Sequence, residues 1–217
     1  MNTRDDIVTI SQSLDAAGLV PNKSGNVSCR TAGGFLITPA GVPYRELTAR
    51  QIVALSQSGE PRPGEARPSS EWRMHAAIYA QRLDVSAIVH THSPSATALA
   101  CAGRGIPPFH YMIALAGGDI RCMPYATFGT AELADTAVRG LEGRRATLLA
   151  NHGVMAVGAS VRAAHSVAVE VENLAAQYLA LLAAGLEPLL LDDEELRRVI
   201  AKFADYGRLE PRADSGK

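Results

Sequence analysis

The chain has 217 residues, 47% of them hydrophobic and 20% charged, which suits one compact domain with a substantial core and demands no second one. Its 21 basic and 22 acidic residues give a net charge of -1 without any block of one sign, and aromatics are only 5%, a balance that argues against nucleic acid as the main partner. The longest apolar stretch, residues 179–184, is far too short to span a bilayer, and "MNTRDDIVTISQSL" is acidic where a signal peptide would be basic, so the expectation is a soluble cytoplasmic protein without membrane contact.

In chain order, residues 5–17 place Ile7, Val8, Ile10, Leu14 and Ala17 at helical spacing, with Gly18 as a stop. "GNVSCR" and "GGFLITP" are β-rich pieces around a "TAGG" turn and read as a hairpin. Residues 58–70, "SGEPRPGEARPSS", form a surface loop. A helix is expected over "SSEWRMHAAIYAQRL", with Ser69 or Ser70 as N-cap and Glu71 in the first turn. "VSAIVHTH" reads as a buried strand, and "SPSATALACAG" as a helix with Pro94 near its start and Gly103 past its end. "ATLLANHGVMAVG" has two apolar strands hinged at "NHG". A long helix then runs to Gly185, and a shorter one over "DDEELRRVIAKFADYG" suggests a mobile C-terminal flap spanning residues 192–217 of the single 1–217 domain. This alternation predicts an α/β fold, a mixed and largely antiparallel sheet flanked by helices.

The three cysteines, Cys29, Cys101 and Cys122, are odd in number and lack CxxC spacing, so a metal would be held by histidine and carboxylate. Side chains alternate faces along a strand, so His90 and His92 point the same way and can reach one ion together. His152, beside a glycine that permits close backbone approach, ends another apolar run, which would bring all three imidazoles to one sheet edge. Three neutral imidazoles leave a fourth zinc position for carboxylate, water or substrate. The alternative is a set of polar strand ends. His75, His110 and His165 lack this spacing and read as structural. "PSSE" is either an ordinary capping sequence or an anion cradle made by Ser69 and Ser70 with Glu71 as ligand or base; taken alone, capping is favoured. "GNVS" is a second candidate anion-binding turn.

"GNVS", "LITPAGVPYREL", "PSSEWRMH", "IVHTH", "IPPFHYMIALAGGDIRCMPYATFGT" and "ATLLANHGVM", in this order, resemble the class II aldolases of the fuculose-1-phosphate aldolase type. The resemblance covers nearly the whole chain and implies the fold shared with adducin head domains. It implies one zinc ion per subunit on His90, His92 and His152, with Glu71 as an additional ligand and the acid/base. It also implies a phosphate site on Gly25, Asn26, Gly41, Ser69 and Ser70, and a catalytic tyrosine, Tyr111, acting across a subunit boundary of a homotetramer. Phe128, Phe203 and Tyr206 would wall the aldehyde end, the last two from the C-terminal tail. The family pattern has threonine where this chain has Ala40, so one hydroxyl of the phosphate site is missing.

The implied reaction is reversible cleavage of a ketose 1-phosphate to dihydroxyacetone phosphate and a small aldehyde, the ketone acting as electron sink under a Lewis acid. L-fuculose 1-phosphate, a 5-deoxypentulose 1-phosphate and methylthioribulose 1-phosphate are the candidate substrates. A Schiff-base route finds no support, because none of the three lysines, Lys23, Lys202 and Lys217, sits in an apolar pocket sequence. A dehydratase acting on methylthioribulose 1-phosphate and an epimerase of pentulose 5-phosphates share the fold and form the alternatives; a non-catalytic head-domain role conflicts with the intact metal and acid/base positions.

Overall fold

The computed structural model describes residues 3–61 and 64–205. Its centre is a seven-stranded sheet of β1 (Gly25–Thr31), β2 (Gly34–Ile37), β3 (Val53–Ser56), β4 (Ala87–Thr91), β5 (Cys122–Met123), β6 (Ala146–Leu149) and β7 (Gly153–Gly158). The spatial order is β3-β2-β1-β4-β7-β6-β5, and every pairing is antiparallel except β5 with β6. Six α-helices accompany it: α1 (Thr3–Ala16), α2 (Trp72–Gln81), α3 (Pro94–Cys101), α4 (Ala131–Gly140), α5 (Val161–Ala183) and α6 (Asp193–Asp205).

Strand alternation divides the core between the two faces of this sheet. Val27, Val89, Val154 and Ala156 point to the side of α1, α3 and α5, where Leu14, Leu99 and Leu174 complete one cluster. Ile88, Met155 and Val157 point oppositely, toward Met74 and Ile78 of α2 and Leu133 and Ala137 of α4. The same alternation carries the polar residues Asn26 and Ser28 of β1, and His90 of β4, to the α2 face, all buried. Burying them is tolerable only where each polar atom finds a partner, and α2 supplies one for each.

The hairpin, the paired strands around "NHG" and the long α5 match the sequence expectation, and α5 is N-capped by Ser160, whose hydroxyl accepts from the Ala163 N–H. Two expectations need correction. First, α2 begins at Trp72, and Glu71 rather than Ser69 or Ser70 occupies its N-cap, with no side-chain capping bond. Ser69 Oγ instead accepts from the Glu71 N–H, because the Glu71 carboxylate is drawn away toward the imidazoles. Second, the histidines gather at the end of the two central strands and not along a lateral edge, since β4 and β7 are antiparallel neighbours and the end of one meets the start of the other. The short β3, α4 and the 3-10 helix Tyr111–Ala116 are additions to the sequence reading. No helix among the described residues is long and apolar enough to cross a membrane.

Candidate metal centre and its cavity

Four side chains from three places converge where β4 ends and β7 begins. His90 is the penultimate residue of β4, His92 lies just beyond it, His152 stands in the turn between β6 and β7, and Glu71 heads α2. Their ligand atoms all lie within 4.8 Å of one another. Glu71 Oε2 is 3.2 Å from His90 Nε2, Oε1 is 2.9 Å from His152 Nε2, and the Nε2 atoms of His90 and His92 are 3.0 Å apart. The three rings stand nearly perpendicular to one another, with centroids 4.8 to 5.0 Å apart.

The backbone makes this approach possible. A Cβ on Gly153 would lie 2.4 Å from the Thr91 carbonyl oxygen and 2.8 Å from His92 Cδ2, so the glycine after His152 is required for the two strands to bring their histidines together. Asn151 takes a left-handed conformation (φ 54°) that turns His152 inward. The Glu172 carboxylate of α5 accepts from Ser95 N and Ala96 N, pinning the chain immediately after His92 at the positive end of α3.

The donor chemistry fits a divalent cation. His90 Nδ1 donates to the Val154 carbonyl oxygen at 2.8 Å, which leaves Nε2 as the ring atom aimed into the cluster. Glu71 Oε1 is buried and makes no well-aligned hydrogen bond, its 2.9 Å contact with His152 Nε2 included, so an acceptor stands open at the point where the imidazoles meet. Burial alone would raise the Glu71 pKa, but His90 and His152 beside it hold the carboxyl well below the usual carboxylate range. Burial opposes a charge on His90, yet Glu71 more than offsets it and raises that pKa. His92 is pushed down to about 3, by burial and then by His90 and His152, and so offers a neutral imidazole at pH 7.

A cavity of about 360 Å³ opens beside the cluster, lined by Gly25, Asn26, Gly41, Ser69, Ser70, Glu71, His92, Phe128 and His152 among others. Of the expected anion-binding groups, Gly41 is in a left-handed turn (φ 78°) and Ser69 and Ser70 stand at the head of α2. The Asn26 amide is committed to Glu71, to which its Nδ2 donates at 3.0 Å. Ala40 lines the same wall. Lys23, Ser24, Tyr125 and Asn151 also face the cavity and were not anticipated; "NKSGNVS" and "ANHG" adjoin recognised motifs, but nothing in their periodicity marks these four.

Tyr111 and Phe203 lie elsewhere. They stack on each other, with centroids 6.3 Å apart, and line a separate cavity of about 600 Å³ with Met112, Glu195, Val199 and Lys202, none of which faces the histidine cavity. Tyr206 lies outside the described residues. His110 caps the 3-10 helix by accepting from Met112 N, and His165 meets Ser13; neither lines the histidine cavity. His75 is buried but is hydrogen bonded to Asn26, one step from Glu71.

Residues 5–179 match the family described as Class II Aldolase and Adducin N-terminal domain. The chain belongs to this family. It is 49% identical over 205 residues to a 5-methylthioribulose-1-phosphate/5-deoxyribulose-1-phosphate aldolase of Rhodospirillum rubrum, covering 94% of this chain and 92% of that one. It is 45% identical over 202 residues to an L-fuculose phosphate aldolase of Escherichia coli, covering 93% and 94%. A solved L-fuculose 1-phosphate aldolase superposes with a TM-score of 0.90 at 39% identity, over 93% of this chain and 96% of that one. The class II aldolase fold is thus shared along essentially the full described length.

Proposed function

We propose that the protein is a metal-dependent aldolase that reversibly cleaves a ketose 1-phosphate to dihydroxyacetone phosphate and a small aldehyde. The observation that carries this reading is the convergence of His90, His92, His152 and Glu71 beside a cavity that Glu71, His92 and His152 line. The names of the relatives at 49% and 45% identity support the substrate class. His90, His92 and His152 would hold the cation, with Glu71 as a further ligand before substrate enters; three neutral imidazoles and a carboxylate suit zinc. Such a cation supplies Lewis acidity to adjacent carbonyl and hydroxyl oxygens, making the ketone an electron sink.

The chain's own groups handle the protons. In synthesis, the Glu71 carboxylate takes a proton from C3 of dihydroxyacetone phosphate, and Tyr111 of a neighbouring subunit gives its phenolic proton to the aldehyde oxygen, which becomes the C4 hydroxyl as the C3–C4 bond forms; solvent then carries the proton from Glu71 back to the Tyr111 oxygen. Cleavage is the same sequence in reverse, with every transfer inverted. The exposure of Tyr111 (53%) and its distance from its own chain's cluster support a role in a neighbour's site, and hence an oligomer, which we take to be a homotetramer. Ser69, Ser70, Gly41 and the Gly25–Asn26 turn would receive the phosphate. Lys23 supplies countercharge as the sole Lys or Arg on that cavity wall among the described residues. Phe128 would border the aldehyde, and Phe203, stacked on Tyr111, would approach it together with that tyrosine from the neighbouring subunit. The three free cysteines suit a reducing cytoplasm.

Ala40 in the phosphate wall and the identity of the nearer relative favour a 5-deoxypentulose 1-phosphate or methylthioribulose 1-phosphate over L-fuculose 1-phosphate. Incubation of the zinc-loaded protein with each of the three tests the reading. Release of dihydroxyacetone phosphate is expected; loss of water without carbon–carbon cleavage would make the enzyme a dehydratase.

A further inference from the structure

From the Glu71 carboxylate runs a buried chain of four further polar side chains, Asn26, His75, Ser28 and Tyr79, whose hydrogen bonds the reaction as written does not use. Glu71 Oε2 accepts from Asn26 Nδ2 at 3.0 Å, and Asn26 Oδ1 is 2.5 Å from His75 Nε2. His75 Nδ1 is 2.6 Å from Ser28 Oγ, which is 2.7 Å from the Tyr79 hydroxyl. Residues 71, 75 and 79 recur one helical turn apart along α2, and residues 26 and 28 share one face of β1, so two regular elements fix the whole series. Asn26 is also the register partner of His90 across β1 and β4, which seats its amide beside the first imidazole.

The direction of every bond in the series follows from its first member. An ionised carboxylate only accepts, so Asn26 must present its NH2 to Glu71, and its oxygen therefore faces His75. That oxygen only accepts, so Nε2 of His75 carries the ring proton. A neutral imidazole has one N–H, so Nδ1 accepts from the Ser28 hydroxyl, and the Ser28 oxygen in turn accepts from Tyr79. Each donor is used once. The Glu71 carboxylate sets which way the Asn26 amide faces; without the His75 N–H the amide would lose its second anchor, and its buried oxygen would be left without a donor.

We propose that His75 is a positioning residue: as its Nε2–H tautomer it locks the Asn26 amide, which in turn holds Glu71 in place for proton transfer. The proposal rests on Glu71 being the acid/base of the aldolase reading.

The test compares His75→Leu with His75→Gln, whose amide NH2 can replace the Nε2–H donor. His75→Leu is expected to lower kcat on the cleaved ketose 1-phosphate about tenfold, the scale of one buried hydrogen bond to a charged group, with little change in KM, while His75→Gln recovers most of kcat. Independently of turnover, nitrogen-15 NMR of the metal-free wild-type protein should show His75 as the Nε2–H tautomer. An Nδ1–H tautomer, an undiminished kcat in His75→Leu, or a glutamine variant as impaired as the leucine one would overturn the proposal. If His75→Leu does not fold, the tautomer and the glutamine variant still decide. If the wild-type protein cleaves none of the three ketose 1-phosphates, the functional reading fails, and the tautomer alone then judges the hydrogen-bonded series.

Discussion

The two cavities of this chain differ in what they contain and in how complete they are. The histidine cavity is made at the end of central strands, with its four candidate ligands held by register, a required glycine and buried hydrogen bonds. The cavity of Tyr111 and Phe203 is a surface feature between a 3-10 helix and α6, aromatic and largely exposed. Residues buried in a sheet can be positioned by one chain, whereas an exposed tyrosine far from its own chain's ligands serves a reaction only if another copy brings it there. On the proposed function, metal binding would be a property of one subunit and turnover a property of the assembly.

Substitutions at the two cavities can break that division. His92→Ala should lose metal and activity together, with turnover down roughly a thousandfold or more, because several kcal/mol of charge stabilisation goes with the cation. Metal analysis and dihydroxyacetone phosphate release measure the two losses. Glu71→Gln should keep three imidazole ligands and most of its metal yet lose about 10²- to 10⁴-fold in kcat, the usual worth of a positioned acid/base. Tyr111→Phe should leave metal content untouched and lower kcat by about 10². Lys23→Gln, at an exposed position on the histidine cavity, should raise KM only about fivefold and spare kcat, as a screened charge contact would.

How much of this could be read in advance depends on how local the cause is. The HxH pair on one strand face, the "NHG" hinge and the stop of α5 at Gly185 follow from nearest-neighbour geometry and are legible in the sequence. The head of α2 is the instructive failure. Ser-Ser-Glu reads locally as a capping sequence, but the Glu71 carboxylate abandons the helix end because buried imidazoles attract it more strongly than a few exposed backbone N–H groups. His75 is similar: nothing within "EWRMHAAIYA" separates a core histidine from one wired to Asn26, since their meeting depends on the packing of α2 across β1. The short β3 and the cavity-lining Lys23, Tyr125 and Asn151 likewise acquire meaning only from their three-dimensional neighbours.

The smallest effect concerns the metal-free fold. Burial pushes the pKa of His75 down to about 3, helped by the charge on His90, and His92 is depressed to about 3 as well. Unfolding lets both rings take protons near the ordinary 6.5. Their contribution to stability is therefore fully present above that pH and is lost as the pH falls toward 3. Thermal melts of the metal-free protein should show a falling midpoint through this window, and His75→Gln should flatten part of the fall.

Complementation tests the division between subunit and assembly most directly. Glu71→Gln and Tyr111→Phe chains, each nearly inactive alone, would be unfolded, mixed in equal amounts and refolded together with zinc. If Tyr111 acts in a neighbour's site, random assembly leaves roughly a quarter of the sites with both groups intact, and dihydroxyacetone phosphate release should recover to about that fraction of the similarly refolded wild-type rate. A mixture no more active than its two components would contradict the account.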